Sequence, residues 1–258
     1  MTVSFTIDMT GKVVLVTGGA RGVGDGIVET FLRAGAEVEI CGRNTPETLR
    51  EVEGRRPVFT AVDVRESDQV VRWVEDIVER HGRLDVAVNN AGGAPYADFR
   101  DASVRFHQKI TDLNFMATVN VAHAAHRHLV AAGDGVLLNI TSISARRPSP
   151  GTAVYGAAKA AVESLSTSLA VEWAPAVRVN AVSCGLVATP GSTDHYGDEE
   201  QSAKVAATIP RGVFATPQEI GAACLMLASP LSSHITGAVL NVDGGGEWPA
   251  FLAHTPNS

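Results

Sequence analysis

Hydrophobic and polar positions fall into two alternating periods along this chain. Seven short runs rich in β-branched residues are apolar almost without interruption: "KVVLVTG" (12–18), "AEVEICG" (36–42), "PVFTAVDV" (57–64), "LDVAVNNAG" (84–92), "GVLLNITS" (135–142), "VRVNAVSCG" (177–185) and "GAVLNVDGG" (237–245). Such runs predict parallel strands covered on both faces. Stretches of helical period lie between them, the clearest being "SDQVVRWVEDIVERHG" (67–82), where Val70, Val71, Val74, Ile77 and Val78 share a face. Ser67 suits its N-cap and Gly82 its left-handed stop. Strand alternating with helix predicts βαβ units, and hence an α/β fold: a doubly wound parallel sheet of about seven strands flanked by helices on both faces.

No internal repeat, low-complexity segment or linker divides the 258 residues, so one domain spanning 1–258 is the simplest organisation. The polar, proline-broken stretch at about 189–217 has the length and composition of a substrate loop or lid. Hydrophobic residues make up 45% and charged residues 19%, an ordinary globular balance. The net charge of −7, without a basic run, argues against a nucleic-acid partner. Cys41, Cys184 and Cys224 lack C-x-x-C spacing, so neither a disulfide framework nor a zinc site is expected, and a reducing cytoplasm fits best. The N-terminus does not read as a signal peptide, and no stretch has the roughly 18 apolar residues of a membrane span.

The first strand runs into "TGGARGVGDG", placing Gly18, Arg21, Gly22, Val23 and Gly24 at a strand-to-helix turn. Glycine there admits backbone angles that a Cβ forbids and lets main-chain N–H groups approach a pyrophosphate at the helix N-terminus. The G-x-x-x-G-x-G spacing differs from the usual G-x-G-x-x-G. Its position after strand one and before a helix still marks a Rossmann-type dinucleotide site. At the end of the second strand stand Arg43 and Asn44; a guanidinium there, seconded by Arg21, favours NADP(H) through its 2′-phosphate. NAD(H) is the alternative, with Glu39 as the ribose acid if the strand ends earlier. Asp63 and Val64 end the third strand where an adenine would lie, or simply form a turn.

"AVYGAAKAAVESL" (153–165) predicts a helix with Tyr155 and Lys159 four residues apart on one face. Bringing a phenol from pKa near 10 to 7 takes about 4 kcal/mol, which a nearby ammonium can supply on that order. Tyr155 could then exchange a proton with an alcohol or carbonyl oxygen while a hydride moves to or from carbon. Ser142, at a strand C-terminus facing the ligand crevice, is available to orient that oxygen.

With "TGGARGVG", "NNAG" (89–92), Asn114 in "TDLNF", Ser142 and "YGAAK" (155–159) in this order and spacing, the sequence resembles the short-chain dehydrogenase/reductase family along nearly its whole length. The resemblance implies a tetrad: Tyr155 as general acid/base, Lys159 lowering its pKa and holding the nicotinamide ribose, Ser142 orienting the substrate oxygen, and Asn114 anchoring a relay water. It also implies that Asn90, Ala91 and Gly92 line the cofactor cleft, and that Gly185, Val187 and Thr189 lie near the nicotinamide. A homotetramer or homodimer joined through helices covering 104–130 and 153–171 is implied as well. Where the family usually reads proline-glycine, this chain has Cys184-Gly185, and Cys184 reads as a small apolar residue.

His123, His126 and His128 on one predicted helix lack an acidic or cysteine companion, so packing or exposure is expected rather than a metal site. Two functions remain open. One is an NADP(H)-dependent oxidoreductase acting on a small secondary alcohol or ketone; the other is a catalytically silent nucleotide-binding regulatory or scaffold protein of the same fold. Arg146 and Arg147 could meet an anionic tail, making a 3-oxoacyl thioester a candidate substrate.

Overall fold

Seven strands form one parallel sheet in the order β3-β2-β1-β4-β5-β6-β7 in the computed structural model, which describes residues 7–191, 196–250 and 252. The strands are β1 (Val13–Thr17), β2 (Glu37–Gly42), β3 (Val58–Ala61), β4 (Val86–Asn89), β5 (Gly135–Ser142), β6 (Val177–Cys184) and β7 (Val239–Val242). Each falls within one of the apolar runs. β1 shows why alternation was absent: Val14 and Val16 enter one core, Val13 and Leu15 the other. The chain doubles back between β1 and β4, which are paired neighbours, and a crevice opens beyond strand ends at such a reversal.

One core is closed by α1 (Gly22–Arg33) through Ile27, Val28 and Phe31, together with the helix Pro217–Ala228 through Ile220, Cys224 and Leu227. The opposite core is closed mainly by α2 (Ser67–His81) and by α4 (Ala117–Ala131), which follows α3 (Val104–Thr111) through a π-helical turn, Asp112–Met116. Beyond them come α5 (Ala153–Glu172) and α6 (Glu199–Ala206), and Pro217–Ala228 is therefore α7. The β2–β3 crossover carries no helix among the described residues; residues 43–57 form an irregular strap with a Val52–Arg55 bridge, and Leu49 and Val52 pack on the first core.

Local expectations needed correction in three places. Ser67 is the first helical residue of α2, while Glu66 is its N-cap and gives no side-chain cap; Gly82 does stop the helix, at φ 74°. On α2's inner face Trp73 is buried with Val70, Val74 and Ile77, whereas Val71, at the margin of that face, is 41% exposed. The segment 189–217 is not a bare loop: α6 lies within it, started by an Asp198–Gln201 capping box. Its residues 192–195 lie outside the described residues.

The sheet is fastened at the end remote from the crevice by Asp85, 2% exposed. Its carboxylate accepts from Val13 N (3.0 Å), Lys12 Nζ (2.9 Å) and Arg83 Nε (2.8 Å). Burial raises its pKa, but the Arg83 bond, the Val13 N–H and Lys12 together outweigh burial and hold it below the ordinary value. A depressed carboxylate contributes stability that is present above its unfolded pKa and lost as pH falls through the folded one. Asp85→Asn should therefore lower stability at pH 7 by about 2–3 kcal/mol, since it leaves two cations unpaired. Urea midpoints measured downward from pH 7 should show the gap to wild type closing as pH drops through the carboxylate range. A constant gap would mean the charge is not what Asp85 contributes.

Candidate active site

The crevice is built around Thr17, which motif reading missed. Its Oγ1 accepts from both Asn90 N and Ala91 N at 2.9 Å, and Asn90 Nδ2 donates to Thr17 O (2.9 Å) and Gly18 O (3.3 Å). The "NNAG" segment is thereby tied to the glycine loop. Gly18 and Gly22 take φ of 65° and 56°, in the left-handed region. A Cβ on Gly24 would stand 2.3 Å from Gly18 O and 2.6 Å from Asn90 Nδ2, so only glycine lets α1 sit on this turn. No side chain caps the first turn of α1, where Arg21 is the N-cap. A bare helix N-terminus over a glycine cradle is what a pyrophosphate requires, so the residues present fit a dinucleotide.

Arg21 and Arg43 are exposed, and neither makes an ion pair within the described residues. Glu39, the alternative ribose acid, is fully buried, pairs with Arg80 and lies 2.8 Å from His81 Nε2, from which its Oε1 accepts when that nitrogen is protonated. It faces the C-terminal end of α2 and not the crevice. Asn44 is exposed. The Asp63 carboxylate is taken by Arg65, whose hydrogen bond holds its pKa down, and Asp63 N donates to Gln69 Oε1 at 3.0 Å. Asp63 thus makes the strand-end turn, with Val64 buried behind it.

Ser142 ends β5, and its Oγ accepts from Ser144 N at 3.2 Å. Tyr155 and Lys159 face it from α5. Lys159 is 4% exposed; Nζ donates to Ile140 O at 2.9 Å and stands 5.7 Å from the centroid of the Tyr155 ring. A Cβ on Gly92 would lie 3.1 Å from that Nζ and 2.7 Å from Asn114 Oδ1, so these three positions converge. Asn114 is fully buried in the π-helical turn, not in a regular helix interior. Its Nδ2 donates to Gly93 O (3.0 Å) and Ile110 O (2.9 Å), and Oδ1 accepts from Gly93 N (2.8 Å). One amide hydrogen and Oδ1 clamp Gly93, and the other hydrogen is committed to Ile110 O.

The electrostatics differ from the expectation that Lys159 acidifies Tyr155. Burial pushes the phenol up to about 12, against a hydrogen bond with Ser142 that lowers it. Burial likewise brings Lys159 down to about 8, while the buried Cys184 thiol beside it is pushed up to about 12 by burial against the pull of that ammonium. Desolvation is the larger force on both groups, and the ammonium donates to Ile140 O. Cys184 is protonated and packs as the apolar residue the sequence suggested.

After β6, a Cβ on Gly185 would lie 2.7 Å from Asp243 Cα, Val187 is buried and bridges Ala215, and Thr189 Cγ2 lies 3.7 Å from the position a Gly22 Cβ would take. The post-β6 segment therefore returns over the glycine loop. Arg146 is not free: Nε donates to Glu163 Oε2 and Nη1 to Asn241 Oδ1, both at 3.0 Å. Arg147 is paired with Glu247 at 3.2 Å. On α4, His126 packs against Trp173 and His128 bonds Glu75 at 2.9 Å.

A phosphate-type cradle at the β1–β4 reversal, with a phenol, an ammonium and a hydroxyl converging beyond β4–β6, defines a nucleotide-dependent oxidoreductase crevice. The family model described as enoyl-(acyl carrier protein) reductase matches residues 18–247. The chain is 36% identical over 247 residues to the 3-oxoacyl-[acyl-carrier-protein] reductase FabG of Chlamydia muridarum (strain MoPn / Nigg), covering 92% of this chain and 98% of that one. It is 33% identical to oxidoreductase UcpA of Escherichia coli (strain K12), over 95% and 98% of the two chains. A short-chain type dehydrogenase/reductase from Mycobacterium ulcerans superposes with a TM-score of 0.87 at 30% identity, over 97% and 96% of the chains. The chain belongs to the short-chain dehydrogenase/reductase family and is an NAD(P)-dependent oxidoreductase of that family. No helix among the described residues is long and apolar enough to cross a membrane.

Proposed function

We propose that this protein is an NADP(H)-dependent reductase or dehydrogenase that interconverts a small-molecule ketone and its secondary alcohol, with Tyr155 as the proton donor and acceptor. The observation that carries the reading is the convergence of Tyr155, Ser142, Lys159 and Gly92 at the strand ends above the glycine cradle. A silent scaffold would have no need to bury an ammonium beside a phenol there.

Gly18, Gly22, Val23 and Gly24 would hold the pyrophosphate, Asn90, Ala91 and Gly92 the face of the cleft, and Gly185, Val187 and Thr189 the nicotinamide end. When bound, NADPH supplies the hydride to the carbonyl carbon. Ser142 orients the carbonyl oxygen, and Tyr155 passes its hydroxyl proton to that oxygen as negative charge develops on it. Lys159 would hold the ribose and, as a cation, favour the phenolate left behind. With both Asn114 amide hydrogens committed, a relay water would meet this side chain only as a donor to Oδ1, or else bind main-chain groups of the π-helical turn. Assembly through α4 and α5 belongs to the same reading, supported by Ala157 and Val171 standing exposed on α5.

The NADP preference rests on Arg21 and Arg43 being unpaired and on Glu39 being locked against α2. Arg43→Glu should reduce kcat/KM for NADPH by about 10–100-fold, through KM, while NADH changes little or improves. Steady-state kinetics with the two nucleotides check this, and a wild-type preference for NADH refutes it. The name of the chlamydial relative supports a 3-oxoacyl substrate. The two arginines do not, since both are paired within the chain.

A further inference from the structure

Substrate choice can be read one step further, resting on the reductase assignment above. Tyr196, at the start of the segment that carries α6, stacks on Phe214 with ring centroids 4.8 Å apart and planes 19° from parallel. Both rings are half-buried. Phe214 precedes Ala215, which bridges Val187 just beyond the end of β6, where Cys184 pairs with Ser142. Consistent with that placement, Tyr196 acts to raise Tyr155, and Arg147 acts to lower Tyr196 against burial. Arg147 is in turn held by Glu247, and Trp248 N donates to Thr208 O at 2.9 Å, so the segment after β7 is fastened to the end of α6. Ile143 contributes an apolar surface on the same side, its Cδ1 3.9 Å from where a Gly246 Cβ would stand.

Beside the ends of β5 and β6, near Ser142 and Tyr155, there is thus a flat aromatic wall flanked by paired cations. An anionic substrate tail would have to break Arg146 from Glu163 and Asn241, or Arg147 from Glu247, to gain a charge partner. A flexible acyl chain gains little from a planar surface and loses rotamer freedom on it, whereas a rigid flat ring gains contact over its whole face at low entropic cost. We infer that Tyr196 and Phe214 form a specificity wall that selects a neutral, ring-bearing ketone or alcohol over a linear 3-oxoacyl thioester. Tyr196 acts there through its ring, as a binding surface and not as a second proton donor.

The test compares kcat/KM for 2-tetralone, a neutral bicyclic ketone, with that for the N-acetylcysteamine thioester of 3-oxobutanoate, using NADPH and the intact chain. Wild type should favour the tetralone. Tyr196→Ala should cut the tetralone-to-thioester ratio by about tenfold, mainly through the tetralone KM, a loss in the range of one aromatic contact. Tyr196→Phe, which keeps the ring, should restore the ratio. Preference of the wild type for the thioester, turnover of neither compound, a ratio unmoved in Tyr196→Ala, or a Phe variant as impaired as the Ala variant would each overturn the inference. Tyr155→Phe separates the two levels. If it still reduces either ketone at the wild-type rate, the reductase reading itself fails; if it is silent while the Tyr196 variants leave the ratio fixed, the specificity wall alone fails.

Discussion

Tyr155→Phe should lower kcat for carbonyl reduction by about 10³-fold or more while NADPH binding changes less than about threefold, because it removes one exchangeable proton and almost no volume. The ring remains packed on α5, and the cradle that would hold the pyrophosphate lies around Gly18, Gly22 and Gly24, on other elements. The direction of the pKa sharpens the expectation. With burial pushing the phenol up to about 12, Tyr155 in the cofactor-free protein is protonated throughout the neutral range. That is the form that donates to a carbonyl oxygen, so reduction needs no prior ionisation. Oxidation of the alcohol needs the phenolate, and its rate should climb with pH well above neutrality, with the climb absent in Tyr155→Phe. Fluorescence titration with NADPH and pH–rate profiles in both directions check these points. Undiminished kcat in the Phe variant would remove Tyr155 from the chemistry.

Much of this architecture was legible because parallel strands buried on both faces leave unbroken apolar runs, as Val13 to Val16 show by dividing between two cores. The "YGAAK" pair was legible for a related reason: positions four apart on a helix are forced onto one face. Partnerships between distant segments were not. Arg146 reads as a free loop cation until Asn241, 95 residues away, is placed beside it. Glu39 reads as a possible ribose acid until α2 packs Arg80 and His81 onto it. Thr17 carries no chemical signal in "VTGG", yet its hydroxyl joins β1 to the segment after β4. The π-helical turn at Asn114 leaves an ordinary helical pattern in the sequence, and the stacked Tyr196 and Phe214 come from either end of a segment that reads as polar loop. The electrostatic expectation weighed charges, whereas desolvation acts on both partners of the cofactor-free chain and depends on burial that spacing does not reveal.

Lys159→Met should separate stability from function in opposite directions: activity should fall by about 10²-fold or more, while the protein becomes more stable at pH 7 by about 1–2 kcal/mol. The ammonium is 4% exposed and its partner within the described residues is the neutral carbonyl of Ile140, so ionisation there opposes folding. Burial takes its pKa from 10.5 to about 8, which means the unfolded chain binds this proton more readily than the folded one. Stability of the wild type must then rise with pH between those two values, as the folded state sheds the proton that the unfolded state keeps. The advantage of Lys159→Met should accordingly be largest below about pH 8 and fade toward pH 10.5. Thermal unfolding of both proteins across that range, without nucleotide, measures it, with a rise in Tm of about 2–6 °C expected at pH 7. A variant less stable than wild type at neutral pH would show that the Ile140 bond outweighs the buried charge. In that case Lys159 would be a structural tie, and the idea that the fold accepts a strained cation for the sake of the phenol and the ribose would lose its support.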